Sequence, residues 1–161
     1  MLRLVHEGFL RSLDGLAPER LWERPGRGFP IARLVQHVRD AIVFWLWREG
    51  EEPPAAVERG ATLESMLDSF AKVRGRLDDV LASASDADLE AVWPSVLPQR
   101  LGGAARPGGG PITLDFVTKR LMQHALYHQG QIDYIRAMGE EGWGRGRTYW
   151  EEAADAVSAC P

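Results

Sequence analysis

Apolar positions recur every three to four residues along most of this chain, and the intervals where that period fails divide it into four helical stretches. Leu2, Val5, Phe9, Leu13 and Leu16 make the first stripe, which predicts a helix over 2–16 that stops near Gly15 and Pro18. PGRGFP at 25–30 is a loop by its punctuation, and Pro30 suits the first turn of a second helix that runs to Glu49 and ends at Gly50. Leu34, His37, Val38, Ala41, Trp45 and Arg48 share one face of that helix. EEPPAAVERG at 51–60 reads as a linker. Thr62 is placed to cap a third helix, whose stripe is Leu63, Met66, Leu67, Phe70, Val73, Leu77, Val80 and Leu81. SDAD at 85–88 interrupts it, with Asp86 as the cap of a short turn over DLEAVW. Thr113 caps the fourth and longest helix, which carries Leu114, Val117, Leu121, His124, His128, Gln131 and Ile135 and closes at Gly139.

Four amphipathic helices with no convincing period of two predict an all-α fold, an antiparallel four-helix bundle over residues 1–140. Between Pro94 and Pro111 the chain has four prolines and five glycines, a long irregular loop of the kind that borders sites. Its glycine runs at 102–103 and 108–110 lack the spacing and flanking strand of a phosphate loop. The tail, 141–161, is glycine-rich at first but carries Trp143, Tyr149 and Trp150, and is expected to dock on the bundle or on a second subunit.

The 161 residues are one domain's worth. A net charge of −4 gives no electrostatic reason to expect a nucleic-acid partner. The most apolar run, AIVFWLW at 41–47, is too short to span a bilayer, so no membrane partner is expected. The first ten residues lack the pattern of a signal peptide. The single cysteine, Cys160, precludes an internal disulfide framework and fits a cytoplasmic location, and nothing fixes a base beside it.

Candidate chemistry lies in QHALYHQGQ at 123–131. His124 and His128 are one helical turn apart, about 5–6 Å between Cβ atoms, so both imidazoles can reach one metal ion. Their neighbours on the stripe point that face inward, and His37 is read as lying on the inward face of the second helix. Three imidazoles would leave positions open for water or substrate. The competing reading is three core histidines that only pack, since the sequence does not show that the second and fourth helices are neighbours. His6 is read as a surface or boundary residue. Gly130 is expected to permit close helix approach, because glycine inside a helix costs about 1 kcal/mol relative to alanine. Gln131 can orient a ligand or a bound water, or be an ordinary polar residue of the seam; Asp40 can accept from an imidazole, though pairing with Arg39 or Arg33 is the plainer role. Tyr127 and Tyr134 read as packing or rim residues, and Trp45, Trp47 and Trp93 as core or interface, with one of them a candidate pocket wall.

The second helix, GFPIARLVQHVRDAIVFWLWREG, and above all HALYHQGQI resemble the DinB-like (DinB/YfiT) superfamily of metal-binding four-helix bundles, whose last helix carries an H-x3-H-x-G-Q pattern. The likeness covers residues 1–140. It implies that His37, His124 and His128 hold a divalent ion, nickel or zinc most often, and that the protein is a homodimer. It also implies a low-molecular-weight thiol as co-substrate, since the family's known enzymes mostly conjugate or isomerise small molecules with such a thiol. Many members carry arginine where this chain has Gln129, so a role of that arginine in binding an anion does not transfer. The implied activity is a thiol-dependent S-transferase or isomerase acting on a small-molecule substrate. The alternatives are a non-catalytic metal-binding stress-response protein and a dimeric interaction module.

Overall fold

The computed structural model describes residues 2–47, 51–93 and 111–140. Among these are six helices: α1 (Leu2–Arg11), α2 (Pro18–Leu21), α3 (Ile31–Leu46), α4 (Leu63–Ser83), α5 (Asp86–Glu90) and α6 (Leu114–Gly139). An isolated antiparallel bridge between Val92 and Thr113 is the nearest thing to a strand among the described residues. The fold is therefore all-α, as the periodicity predicts. The expected loop over 94–111, apart from Pro111, and the aromatic tail over 141–161 lie outside the described residues.

Four helices close a ring around one core. α1 packs on α6, α6 on α3, and α3 on α4. Phe9 of α1 stacks on Phe70 of α4 at 5.5 Å and closes the circuit. Each helix contributes its apolar stripe: Val5 and Phe9; Leu34, Val38 and Ile42; Met66, Phe70, Val73 and Leu77; Val117, Leu121, Ala125 and Ile132. Burial of such stripes, about 25 cal/mol per Å2 of apolar surface, is what holds short helices that would fray alone.

Helix ends follow local chemistry. Thr62 and Thr113 cap α4 and α6 by accepting from the backbone N–H groups of Ser65 and Phe116, both at 3.2 Å. Ser85, not Asp86, caps α5: it shares a capping box with Asp88, and Asp86 is the first helical residue. Pro30 precedes α3 as its N-cap rather than lying in its first turn. The first helix is shorter than its stripe, giving way after Arg11 to tight turns that end at Gly15, whose φ of 66° suits glycine. Leu13 and Leu16 are buried all the same. α2, which Pro18 starts, extends the element order beyond the four predicted helices.

Two buried arginines tie irregular chain to the bundle. Arg39 of α3 donates to the carbonyl oxygens of Pro54 and Ala55 and to Ser69 Oγ, which pins the 51–60 linker. Asp40 pairs with Arg39 at 2.7 Å, the plainer of its two expected roles. Arg136 of α6 donates to the carbonyls of Ser12 and Asp14, where α1 has run out, and makes three hydrogen bonds with the Glu140 carboxylate. It is 2% exposed, a core residue one position beyond Ile135, where the predicted apolar stripe of this helix ends.

One histidine is misplaced by the sequence reading. His6 is not at the surface but fully buried, edge-on to Phe70 at 5.6 Å, with neither ring nitrogen hydrogen-bonded among the described residues. It lies four residues after Leu2 and three before Phe9, so the buried face of α1 is wider than a single line of positions. Burial, then the nearby Arg74 guanidinium, pull its pKa down from 6.5 to about 4, against a smaller opposing pull from Asp78.

Candidate metal centre

α3 and α6 are direct neighbours, which brings His37 to the pair on α6. His124 Nε2 lies 3.0 Å from His37 Nε2 and 3.0 Å from His128 Nε2. One nitrogen from each ring falls within 4.8 Å of the other two. The three rings stand nearly perpendicular to one another, with centroids 4.5–4.9 Å apart. All three predicted residues are thus brought together, on the lining rather than the centre of the bundle. His128 is buried and His124 half-buried, but His37 is exposed, contrary to its expected inward position. The core line of α6 runs through Leu121, Ala125 and Ile132, one step around the helix from the histidines, and the α3 core line runs through Leu34, Val38 and Ile42. The cluster therefore opens to solvent on the α3 side.

The donor chemistry fits a divalent ion. Two imidazole nitrogens each about 2.0–2.1 Å from one ion lie about 2.8–3.4 Å apart in octahedral or tetrahedral geometry, which the two 3.0 Å separations from His124 Nε2 match. His128 Nδ1–H donates to Gln131 Oε1 at 2.7 Å, so His128 Nε2 presents a lone pair. His124 Nδ1 is buried without a partner among the described residues, and an ion held through Nε2 would leave it so. Gln131 Nε2 in turn donates to Tyr127 Oη at 3.2 Å, and Tyr127 meets His128 edge-on at 5.0 Å. Such a chain behind a ligating histidine fixes both tautomer and ring orientation. Of the two roles Gln131 could have from sequence, it takes the orienting one.

Electrostatics favour neutral rings. The pKa of His124 falls to about 4, through burial first and then the repulsion of a charge at His128, His37 and Arg120. Burial also lowers that of His128, with the Gln131 hydrogen bond opposing and His37 adding to the fall. At neutral pH both rings offer lone pairs rather than protons. Among the described residues no carboxylate or thiol joins the three imidazoles as a fourth donor.

A cavity of about 910 Å3 adjoins the cluster, walled by the loop around Pro25–Phe29 and by α6 from Tyr127 to Gly139. Tyr127 and Tyr134 line it, so rim is the better of their two readings. No tryptophan appears among its described lining residues. Trp45 packs on Phe116, Trp47 lies under Arg76, and Trp93 Nε1 donates to the carbonyl of Trp45. Gly130 also lines the cavity, and a Cβ there would meet nothing within 4 Å, so close helix approach does not explain it. The cavity escapes a sequence reading because its far wall is the 25–30 loop. Its visible signal is the excess of glycine and aromatic residues there. No helix among the described residues is long and apolar enough to cross a membrane.

A family model described as the DinB superfamily matches residues 1–132, a span that includes all three histidines. No curated protein matches the chain.

Proposed function

This chain belongs to the DinB superfamily, and we propose that it is a metal-dependent enzyme in which His37, His124 and His128 hold a divalent ion, nickel or zinc by family resemblance. Its proposed activity is that of an S-transferase or isomerase using a low-molecular-weight thiol. The observation that carries this reading is the gathering of three imidazoles, His37 and His128 Nε2 each 3.0 Å from His124 Nε2, with no fourth protein donor among the described residues. A sphere closed by four protein ligands suits a structural ion, whereas three ligands with an open side suit exchange of small molecules.

When bound, such an ion supplies Lewis acidity that makes a coordinated thiol or water more acidic near neutral pH. The chain's own residues do the rest. Gln131 Oε1 accepts a hydrogen bond from His128 Nδ1–H and keeps that ring in the ligating tautomer. Burial keeps His124 and His128 unprotonated, so protons do not compete for the donor atoms at neutral pH. The exposed edge at His37 lets a thiol reach the cluster from solvent, while the cavity adjoins it at Tyr127 and Gln131.

Loading the protein with Co(II) as a spectroscopic stand-in and titrating with 2-mercaptoethanol and cysteine tests the reading. A sulfur-to-metal charge-transfer band that saturates, and that is absent in His124→Ala, is the expected result. A cobalt spectrum unmoved by either thiol would overturn the thiol-dependent activity.

A further inference from the structure

We propose, building on the metal-centre reading, that the cavity beside the histidines is the binding pocket for the substrate of that centre, and that this substrate is a small, largely apolar, neutral molecule bearing an aromatic ring. The pocket adjoins the centre, because Gln131, which accepts from His128, and Tyr127, which meets the His128 ring edge-on, also line it. Exposed apolar surface is concentrated there. Phe29, Tyr127, Tyr134 and Met138 are each 64–72% exposed, and these four of the seven large apolar side chains left exposed among the described residues all line this cavity. Scattered apolar side chains need no explanation, but a cluster lining a concavity is the usual make-up of a small-molecule site.

Gly130 sharpens the ligand's shape. Glycine weakens a helix interior relative to alanine. Neither packing nor backbone conformation demands it here: a Cβ would meet nothing within 4 Å, and its φ is not positive. Its bare face opens on the cavity between Tyr127 and Tyr134, at the i, i+3, i+7 positions of one helical face. The two tyrosines are about 10 Å apart along the axis, enough for one planar ring laid over the glycine. At the far end Arg20 lies against Gly139, but its Nη1 is paired with Glu23 at 2.7 Å. That end offers no uncompensated charge, which favours a neutral ligand over an anion.

Fluorescence titration of the metal-loaded protein with neutral N-phenyl-1-naphthylamine tests this, with anionic 8-anilinonaphthalene-1-sulfonate as the contrast. Wild type is expected to bind the neutral probe saturably and more tightly than the anion. Gly130→Leu, which fills the slot, should weaken neutral-probe binding by about tenfold or more. Gly130→Ala should weaken it less while raising Tm by about 3 °C, because the helix gains what the pocket loses. Metal content should be unchanged in both variants. Absence of saturable binding in wild type, equal binding by wild type and Gly130→Leu, tighter binding of the anion, or a lower Tm in Gly130→Ala would each overturn the proposal. So would a wild-type dimer that Gly130→Leu converts to monomer, since the face would then be an interface between copies. Probe binding that persists in metal-free protein and is lost in Gly130→Leu leaves the pocket standing if the metal centre fails. Normal metal content with unaltered probe binding in the variants does the reverse.

Discussion

His6 is a buried imidazole with no hydrogen-bond partner among the described residues, and replacing it makes a measurable prediction about stability against pH. Its pKa falls from 6.5 in an unfolded chain to about 4 in the folded one, chiefly through burial. Because the folded value is depressed, the unfolded state takes up the proton first. Stability from this residue is therefore intact above pH 6.5, declines as pH falls below 6.5, and levels off below about 4. With 1.36 kcal/mol per pKa unit, wild type should lose about 2 kcal/mol between pH 7 and pH 5 on this account, and about 3 kcal/mol by pH 4. His6→Leu removes the titrating group and two unpaired ring nitrogens while keeping an apolar side chain between α1 and α4. Urea unfolding followed by circular dichroism, at pH 7 and pH 5 with chelator present, isolates the term. The carboxylates and the other histidines titrate in both proteins and cancel in the difference. His6→Leu should match or exceed wild type at pH 7 and should lose about 2 kcal/mol less on moving to pH 5. Parallel pH dependence in the two proteins would refute the burial and neutrality of His6.

Arg136→Met should destabilise the protein by about 3 kcal/mol in urea unfolding, since it strands the carbonyls of Ser12 and Asp14 and a partly buried Glu140; a loss below 1 kcal/mol would mean that the arginine is not the tie between α1 and α6. Gln131→Met should weaken metal binding about 10–100-fold in chelator competition, with the fold retained, because His128 loses the acceptor that fixes its tautomer. An unchanged affinity would make the Gln131 contact incidental.

Much of the fold is legible in the sequence because the stripes of Val5–Phe9, Met66–Leu77 and Val117–Leu121 are clean and two threonines stand where helices must start. The H-x3-H spacing likewise places two imidazoles together by helix geometry alone. What escapes depends on surroundings that periodicity does not encode. Whether His37 faces the core or the rim is decided by a rotation of one position on α3, and both His37 and Leu34 fit a stripe drawn four residues wide. His6 lies one residue off the α1 stripe, which argues for the surface or boundary, and only the packed neighbours Phe70 and Arg74 show that burial wins. Arg136 is core for the opposite reason, since besides three contacts with Glu140, four residues on, it donates to the carbonyls of Ser12 and Asp14, which the sequence cannot pair with it across more than 120 residues. Gly130 reads as a contact glycine until the space over it is seen to be open.

The most direct test of the account is metal content by mass spectrometry of purified, metal-supplemented wild type beside His37→Ala, His124→Ala and His128→Ala. The account predicts about one divalent ion per chain in wild type, with the ion lost or bound far more weakly in each variant while the helical circular dichroism is kept. Wild type without bound metal, or metal retained equally in all three variants, would contradict it.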